Sequence, residues 1–367
     1  MALAHTRYAR LSVMLDTNSV LDVLRPVQDP ELQKSLVELN MIRNVKVDNG
    51  TVSFTLVLTT PACPLREFIV EDCQKAVKQL SGVEEVVVNV TAETPQQKSL
   101  PDRTGIEGVK NILAISSGKG GVGKSTVAVN VAVALAQLGA KVGLLDADIY
   151  GPNAPAMLGL ADAKVMVQKG KQGDVIEPAF NHGVKLVSMG FLIDPDQPVI
   201  WRGPMLNGII RQFLYQVEWG ELDYLIVDMP PGTGDAQLTL AQAVPMAGAV
   251  IVTTPQNVAL LDSRRGLKMF EQMGVPVLGI IENMSYFIPP DLPDRQYDLF
   301  GSGGGEKTSK ELGIPLLGCI PLEISLRQGG DQGLPIAVGN PESASAKALV
   351  AIASQIAAKV SIAALSN

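Results

Sequence analysis

The sequence predicts an α/β protein whose main sheet is mostly parallel and covered by helices on both faces, preceded by a small N-terminal α/β domain. Three observations predict it. Five short apolar runs, Ile112 to Ser116, Lys141 to Leu145, Tyr224 to Val227, Ala249 to Thr253 and Val277 to Ile281, have stretches of helical spacing between several of them. A sheet buried on both faces requires that alternation of near-continuous apolar strands and helices. Upstream, alternating runs from Ile42 to Val47 and Val52 to Leu58 flank Asp48-Asn49-Gly50, and Asn-Gly in that setting is the strongest short hairpin signal. Finally, 367 residues exceed one small domain, and the stretch 94–107, with Pro95, Pro101, Gly105 and no apolar period, reads as a linker. The expected organisation is a disordered extension over 1–15, a small domain over 16–93, the linker 94–107, and a larger domain over 108–367.

In chain order, Asn18 is a candidate cap for a short helix running to Val27. Asp29-Pro30-Glu31 reads as a second helix start, with proline at the first helical position and acids in the first turn. After the hairpin, Pro64 to Leu80 has an amphipathic helical pattern closed by Ser81-Gly82, and Val83 to Val90 reads as a strand. The small domain is therefore α-β-β-α-β. In the larger domain, Thr126 to Leu138 is helical. The terminal stretch Ser343 to Ala364 places Leu349, Ile352, Ile356 and Val360 at helical spacing. With only Lys347 and Lys359 basic, it reads as a packed terminal helix rather than a membrane-surface one.

Composition excludes several classes. Hydrophobic residues make up 46% and charged residues 18%, as in a well-cored globular protein. The net charge of −7, with no Lys/Arg block, argues against a nucleic-acid binder. The three cysteines, Cys63, Cys73 and Cys319, are odd in number and far apart, so no disulfide framework is expected and a reducing, cytoplasmic setting is. No run of 18 apolar residues reads as membrane-spanning, so stable membrane insertion is not expected. Met1 to Met14 lacks the apolar core of a signal peptide.

The chemistry concentrates after the first strand of the larger domain. Gly118-Lys119-Gly120-Gly121-Val122-Gly123-Lys124-Ser125 fits GxxxxGK[ST] between a strand and a helix, the context the phosphate-binding loop needs. Its glycines let main-chain amides turn inward around phosphate, and the following helix offers its positive end to the same anion. Lys124 is expected to reach the β- and γ-phosphates of ATP, and the Ser125 hydroxyl to bind magnesium. The fold class is thus a P-loop NTPase. Asp228, ending the run Leu225 to Val227, sits where a magnesium-orienting acid belongs. The Pro-Gly-rich loop after it is suited to sensing the γ-phosphate. Asp146 and Asp148 close another strand and, two apart, should face one way. One of them is a candidate to orient the attacking water; strand-end solvation is the other reading of the pair.

These motifs resemble a known group. The stretch Gly118 to Thr126, with its extra Lys119, looks like the deviant Walker A of the MinD/ParA/nitrogenase-iron-protein group. Asp146-Ala147-Asp148-Ile149-Tyr150-Gly151-Pro152, Trp201-Arg202-Gly203-Pro204-Met205, Asp228-Met229-Pro230-Pro231-Gly232-Thr233-Gly234-Asp235 and Ile281-Glu282-Asn283-Met284-Ser285 narrow the resemblance to the Mrp/ApbC branch of iron–sulfur cluster carriers. The N-terminal unit, with Asp29-Pro30-Glu31 and Thr59-Thr60-Pro61-Ala62-Cys63-Pro64, is similar to the small domain fused to many of them. The resemblance implies that Lys119 contacts phosphate across a nucleotide-sandwich homodimer and Lys124 within the chain. It implies that Ser125 and Asp228 serve magnesium, that Thr126 meets a phosphate oxygen, that Asp148 is the switch I acid and that Asn283 reads adenine. A plain strand-end cap is the other reading of Asn283.

One departure stands out. The cluster-carrying branch typically places Cys-x-x-Cys shortly after Asn-Met-Ser-Tyr-Phe, so that two chains give four thiolates to one cluster. Here Phe287 is followed by Ile288-Pro289-Pro290-Asp291-Leu292-Pro293-Asp294. Cys63, between Pro61 and Pro64 ahead of a helix, lies where a thiol pKa is lowered; it reads either as a reactive or cluster-ligating thiolate or as a structural residue. Cys73, inside a helix, and Cys319, in an apolar run, read as buried small hydrophobes. His5 and His182 form no metal-like cluster. The expected function is an ATP-hydrolysing iron–sulfur cluster carrier that is slow in turnover, dimeric, and partnered by scaffold proteins and apo iron–sulfur proteins. A nucleotide-dependent dimerisation switch that recruits partners without a cluster is the alternative.

Overall fold

The computed structural model describes residues 15–97, 103–148, 151–164, 166–170, 173–191, 203–292 and 294–366. The expected extension over 1–15 falls, except for Leu15, outside them, as do Ile149, Tyr150, Trp201 and Arg202 of the motifs quoted above. The chain divides between Glu93 and Thr94 into two compact units.

In the first unit, helix α1 (Thr17–Leu24) is capped by Asp16, not by Asn18. The Asp16 carboxylate accepts the Ser19 N–H at 2.8 Å, and the Asp16 N–H donates to Ser19 Oγ at 3.0 Å. This reciprocal pair satisfies two amides that the helix start leaves open. No helix follows at Asp29-Pro30-Glu31. Asp29 Oδ1 accepts the N–H groups of Glu31 and Leu32, both at 2.9 Å. That side-chain turn reverses the chain between the short strands β1 (Gln28–Asp29) and β2 (Lys34–Ser35). An aspartate that bonds its own next residues offers the backbone an alternative to a helix.

Strands β3 (Ile42–Asp48) and β4 (Thr51–Leu58) form the expected antiparallel hairpin. Asn49 and Gly50 both take positive φ, the twist a two-residue turn needs. Helix α2 (Arg66–Val77) crosses over to β5 (Glu85–Ala92), which pairs parallel with β4. Val20, Leu24, Phe54, Leu56, Ile69 and Cys73 make the core of this unit.

The second unit is one sheet with helices on it. Its strands are β6 (Val109–Ser117), β7 (Val142–Asp146), the antiparallel pair β10 (Ala179–Asn181) and β11 (Val184–Ser188), then β12 (Leu222–Asp228), β13 (Gly248–Thr253), β14 (Val277–Phe287) and β15 (Leu316–Leu322). A separate hairpin, β8 (Met166–Gly170) and β9 (Gly173–Glu177), precedes β10. The sheet order is β10-β11-β7-β12-β6-β13-β14-β15, parallel except for the β10 edge. Helices α3 (Lys124–Gln137), α4 (Ala154–Met157), α5 (Gly203–Tyr215), α6 (Asp235–Ala243), α7 (Asn257–Gln272), α8 (Gly304–Leu312), α9 (Ile324–Gln332), α10 (Ile336–Gly339) and α11 (Ala344–Ser366) complete it.

The strand β6 that leads into the glycine loop is central, between β12 and β13, so the loop opens among the carboxyl ends of its neighbours. That is where open α/β sheets bind ligands. Residues of the 94–107 stretch are tied to this unit: Gln97 Nε2 donates to Met246 O at 2.8 Å, and Asn111 Nδ2 donates to Pro95 O at 3.0 Å.

Helix α11 is long and apolar enough to cross a membrane by length and composition, yet half of that stretch is buried inside the protein. It packs on α3 and β15 through Leu349, Ile352, Ile356 and Val360. On the other side of the sheet, Trp219 is fully buried among Phe213, Leu222 and Val217, and its Nε1–H donates to Phe213 O at 3.2 Å. Trp219→Ala should destabilise the second unit by about 3–5 kcal/mol. The check is the urea midpoint of that unit; a loss below about 1 kcal/mol would contradict the packing.

Candidate functional site

Parallel pairing sets the site. Asp228, the last residue of β12, is in register with Ile115 of β6 and with Asp146, the last residue of β7. Two carboxylates therefore stand side by side at the sheet's carboxyl edge, next to the point where β6 ends at Ser117. From there the chain runs through Gly118-Lys119-Gly120-Gly121-Val122-Gly123 and enters α3 at Lys124. Two glycines are demanded by the space around them. A Cβ on Gly118 would lie 2.1 Å from the Asp262 carbonyl carbon of α7, and one on Gly123, at φ +79°, would lie 2.2 Å from Asn283 Nδ2. The loop is thus wedged between the backbone of α7 and the side chain of β14.

Lys124 is buried and paired. Its Nζ lies 2.5 Å from Asp228 Oδ1, 3.6 Å from Asp148 Oδ2 and 3.3 Å from Ser125 Oγ. The ammonium expected at phosphate is held here by carboxylates, because a buried charge must be compensated. Asp228 has no exposure. Burial pushes its pKa up, while the Lys124 ammonium and the Ser125 hydroxyl pull it down. Its Oδ2 has no hydrogen-bond partner among the described residues. An orphaned carboxylate oxygen beside a hydroxyl is an oxygen donor set of the kind magnesium takes, so the residues present fit that ion.

Asp146 and Asp148 do not act as a matched pair. The strand ends at Asp146, and the two side chains part. Asp148 faces Lys124. Asp146, also without exposure, accepts from the Asp148 and Ala154 N–H groups at 3.1 and 3.3 Å and from Ser188 Oγ at 2.9 Å. Burial, then the neighbouring Asp228 charge, push its pKa up to about 7. It ties β7, α4 and β11 together.

Lys119 borders the same cavity, with Nζ 3.5 Å from Gln256 Oε1. This cavity, of about 190 Å³, also touches Gly121, Ser125 and Thr126. It adjoins a larger one of about 500 Å³ lined by Asn153, Met157, Asn283, Leu322 and Arg327. Thr126, Asn153 and Met157 border both. Together they offer a small polar end and a roomy, mostly apolar end, the usual division of a ligand cleft. Asn283 lines the roomy end, but its Nδ2 donates to Val122 O at 2.9 Å. Its amide thereby pins the glycine loop from the wall of the larger cavity.

Sequence reasoning missed several residues. Gln237, fully buried, holds the loop after Asp228 through Pro230 O and Ser116 Oγ. Arg327 pairs with Asp331 at 2.5 Å on the rim of the larger cavity. In sequence that pair is an ordinary i,i+4 salt bridge of a solvated helix face, so nothing marks it. Met284, beside Asn283, holds φ +54° and carries no signal either.

The cysteines are not brought together. Helix α2 opens at Arg66, past Cys63, and burial pushes the Cys63 thiol up, with Glu31 and Asp29 raising it further against the Leu65 N–H. The expected lowering by a helix start is overturned. Cys73 lies in the first unit's core, with its thiol pushed by burial to about 12. Cys319 is half-buried rather than enclosed in apolar surroundings, its Sγ 3.8 Å from Glu282 Oε1. No group of three or more His, Cys, Asp or Glu is placed to hold a metal among the described residues.

Residues 108–357 match the family described as NUBPL iron-transfer P-loop NTPase, and residues 17–90 match the family described as iron-sulfur cluster assembly protein. A protein named iron-sulfur cluster carrier protein from Synechocystis sp. is 83% identical over 96% of this chain and 100% of its own length. Proteins of the same name from Deinococcus radiodurans and Escherichia coli are 47% and 42% identical, over 95% and 93% of this chain and 97% and 91% of theirs. Among solved structures, a nucleotide-binding protein in complex with ADP from Archaeoglobus fulgidus is 40% identical with a TM-score of 0.54, covering 62% of this chain and 88% of that one.

The wedge at Gly123 gives a direct test. Gly123→Ala should displace the Asn283 amide from Val122 and weaken binding of a fluorescent ADP analogue at least about tenfold, or 1.4 kcal/mol. Affinity within about twofold of the parent, with thermal unfolding unchanged, would show that the wedge is not needed.

Proposed function

The chain belongs to the family of NUBPL iron-transfer P-loop NTPases, and from that premise we propose that it is an ATP-hydrolysing carrier that transfers iron–sulfur clusters to apo-proteins, working as a homodimer in a reducing cytoplasm. The observation that carries the nucleotide half is the contact of Lys124 with Asp228 at 2.5 Å, beside a glycine loop wedged against α7 and Asn283.

The mechanism follows from charge. Inward-facing amides of residues 118–125 and the start of α3 receive the phosphates of ATP. The Lys124 ammonium exchanges a carboxylate for the β- and γ-phosphate oxygens, a trade between charge-assisted partners of similar strength. Ser125 and Asp228 are the residues that would hold magnesium, which when bound neutralises charge on the phosphate oxygens. Once Lys124 has left, Asp148 orients the attacking water, whose oxygen bonds to the γ-phosphorus as the bond to the ADP oxygen breaks, its proton passing to a phosphate oxygen. Thr126 binds a phosphate oxygen. Lys119, on the cavity rim, serves the nucleotide of a second copy. The cluster is the cargo. The proteins that donate and receive it are iron–sulfur scaffolds and apo-proteins. The reading in which the chain is a nucleotide switch without cargo is favoured by one observation, the scattered cysteines.

Lys124→Ala should weaken Mg-ATP binding roughly tenfold to hundredfold by calorimetry, since a charge-assisted contact is worth about 1.5–3 kcal/mol; affinity within about threefold of the parent refutes the assignment. Lys119→Ala should keep that affinity and lose phosphate release, and unchanged turnover removes its role across the dimer. Cluster delivery, followed as the appearance of holo-ferredoxin from apo-ferredoxin and a cluster donor, should require the parent chain and fail with Lys124→Ala. Equal delivery without the chain would leave the switch reading in place.

A further inference from the structure

The loop after Asp228 is fastened by a side chain that the hydrolysis chemistry above leaves out, and its role rests on that ATP-hydrolysing reading. The β12–β6 ladder ends with Asp228 beside Ile115. Beyond it the Met229 N–H donates to Ile115 O at 3.0 Å, and the Gly232 N–H donates to Ser117 O at 3.1 Å. Between these bonds stand Pro230 and Pro231, which have no N–H to give. Gln237, on α6, bridges the gap: its Nε2 donates to Pro230 O and to Ser116 Oγ. Three consecutive residues of β6 therefore hold the loop, Ile115 and Ser117 through main chain and Ser116 through this amide. Pro231 then forms part of the wall of the phosphate-sized cavity, together with Lys119, Lys124 and Asp148.

Neither packing nor helix capping accounts for an amide in this place. Gln237 has no exposure, and its Oε1 has no hydrogen-bond partner among the described residues. A buried acceptor left open is a cost, and an apolar side chain of similar length would avoid it. Gln237 is also the third residue of α6, whose N-cap is Gly234. A glutamine there commonly accepts the N-cap N–H, but this Oε1 does not. What the side chain does make is the contact of its donor end with the loop and with β6, the strand that runs into the glycine loop.

We infer that Gln237 is a positioning residue for hydrolysis: its amide fixes the Pro230-Pro231 step against the end of the cavity bordered by Lys119, Lys124 and Asp148, which receives the γ-phosphate. Gln237 itself lies behind that wall. ADP leaves this end of the cavity unfilled, so ADP affinity does not depend on the amide. ATP and the attacking water fill it together, and they react only when held in line. A displacement of about 1 Å at such a site costs up to roughly hundredfold in rate. The fold itself is indifferent to the exchange of Gln237 for leucine. One open acceptor, Oε1, disappears as another, Pro230 O, is created.

Full-length chain carrying Gln237→Leu should bind ADP within about twofold of the parent and unfold at nearly the same temperature, while kcat for phosphate release from Mg-ATP falls at least about tenfold and KM moves less than about threefold. Gln237→Glu has the same shape and a different chemistry. Its protonated acid donates to Pro230 O; its carboxylate offers acceptors only and opposes that carbonyl. Burial raises a glutamate pKa toward the neutral range, so the rate of Gln237→Glu relative to the parent should rise as the pH is lowered from about 8 to about 6. The relative rate of Gln237→Leu should stay flat over the same range. Hydrolysis by Gln237→Leu within about twofold of the parent overturns the inference and leaves the ATPase reading intact. So does a loss of ADP affinity as large as the loss of rate, which marks a residue of the fold alone. A Gln237→Glu profile parallel to the parent's overturns it as well, even where Gln237→Leu fails to fold. A parent chain that binds Mg-ATP and releases no phosphate overturns the ATPase reading, and the inference with it.

Discussion

Lys124 and Asp228 meet at 2.5 Å where neither has appreciable contact with water. Around them stand Asp148, 3.6 Å from the same ammonium, and Asp146, adjacent in register on β7. Three carboxylates lie near one another here, Asp228 and Asp148 in contact with the one ammonium, and keeping all of them charged in a buried place is costly. The protein resolves this in stages. Asp146 accepts three hydrogen bonds, which favour its charged form, while burial and the Asp228 charge push its pKa up to about 7. Lys124 compensates Asp228 through one oxygen, which leaves the other without a partner among the described residues. A site balanced this way favours additional positive charge, and a divalent cation arriving with a polyphosphate supplies it while giving the ammonium an alternative anion. The ion pair is therefore better understood as one of two positions for the ammonium than as a contribution to stability, which buried pairs provide only weakly.

The glycine loop depends on that balance being held in one geometry. Its two contact glycines press on neighbours that come from far along the chain, Asp262 on α7 and Asn283 on β14. Asn283 donates to Val122, and the next residue, Met284, sits at positive φ, beside an interruption of the β14–β15 register. A non-glycine residue in that region is uncommon and is kept by surrounding contacts that over-determine it. The floor of the larger cavity is thus built from a strand bent out of its ladder, with one side chain turned to the phosphate loop and its neighbour to the nucleoside-sized space.

Much of this was legible in the amino-acid sequence, and the reasons are local. The loop Gly118 to Ser125 announces itself because its glycines, lysine and serine must be contiguous to wrap one phosphate. The strands of the main sheet were visible because burial on both faces removes the polar alternation that would disguise them. What escaped depends on distant parts of the chain or on competing local bonds. Asp29-Pro30-Glu31 has the composition of a helix start, but the Asp29 carboxylate closes a turn on its own next residues instead. Cys63 does lie ahead of a helix, yet the sign of its shift follows from burial and from Glu31 and Asp29, which spacing does not reveal. Asp146 and Asp148 are equivalent by spacing, but past the end of β7 the side chains diverge, Asp146 to Ser188 and Ala154 and Asp148 to Lys124.

The C-terminal segment shows the same dependence from the opposite end of the chain. Helix α11 is apolar enough that composition alone would allow it a membrane, but its first turn is fastened to the nucleotide site. Glu323, on the wall of the larger cavity, accepts the Ser345 N–H at 3.2 Å, and Ser345 Oγ donates to Pro321 O at 3.2 Å. One turn of α10 is held by α3: Asn130 Oδ1 accepts the Ile336 N–H at 3.0 Å, and Gln137 Nε2 donates to Ala337 O at 3.1 Å. Each of these bonds satisfies a main-chain group that a helix end or a strand exit leaves open. Pulling α11 away would expose its apolar face, strip partners from the cavity wall, and remove its packing from α3, the helix that carries Lys124 and Ser125. The terminal helix belongs to the folded unit because the nucleotide site's own backbone needs it there.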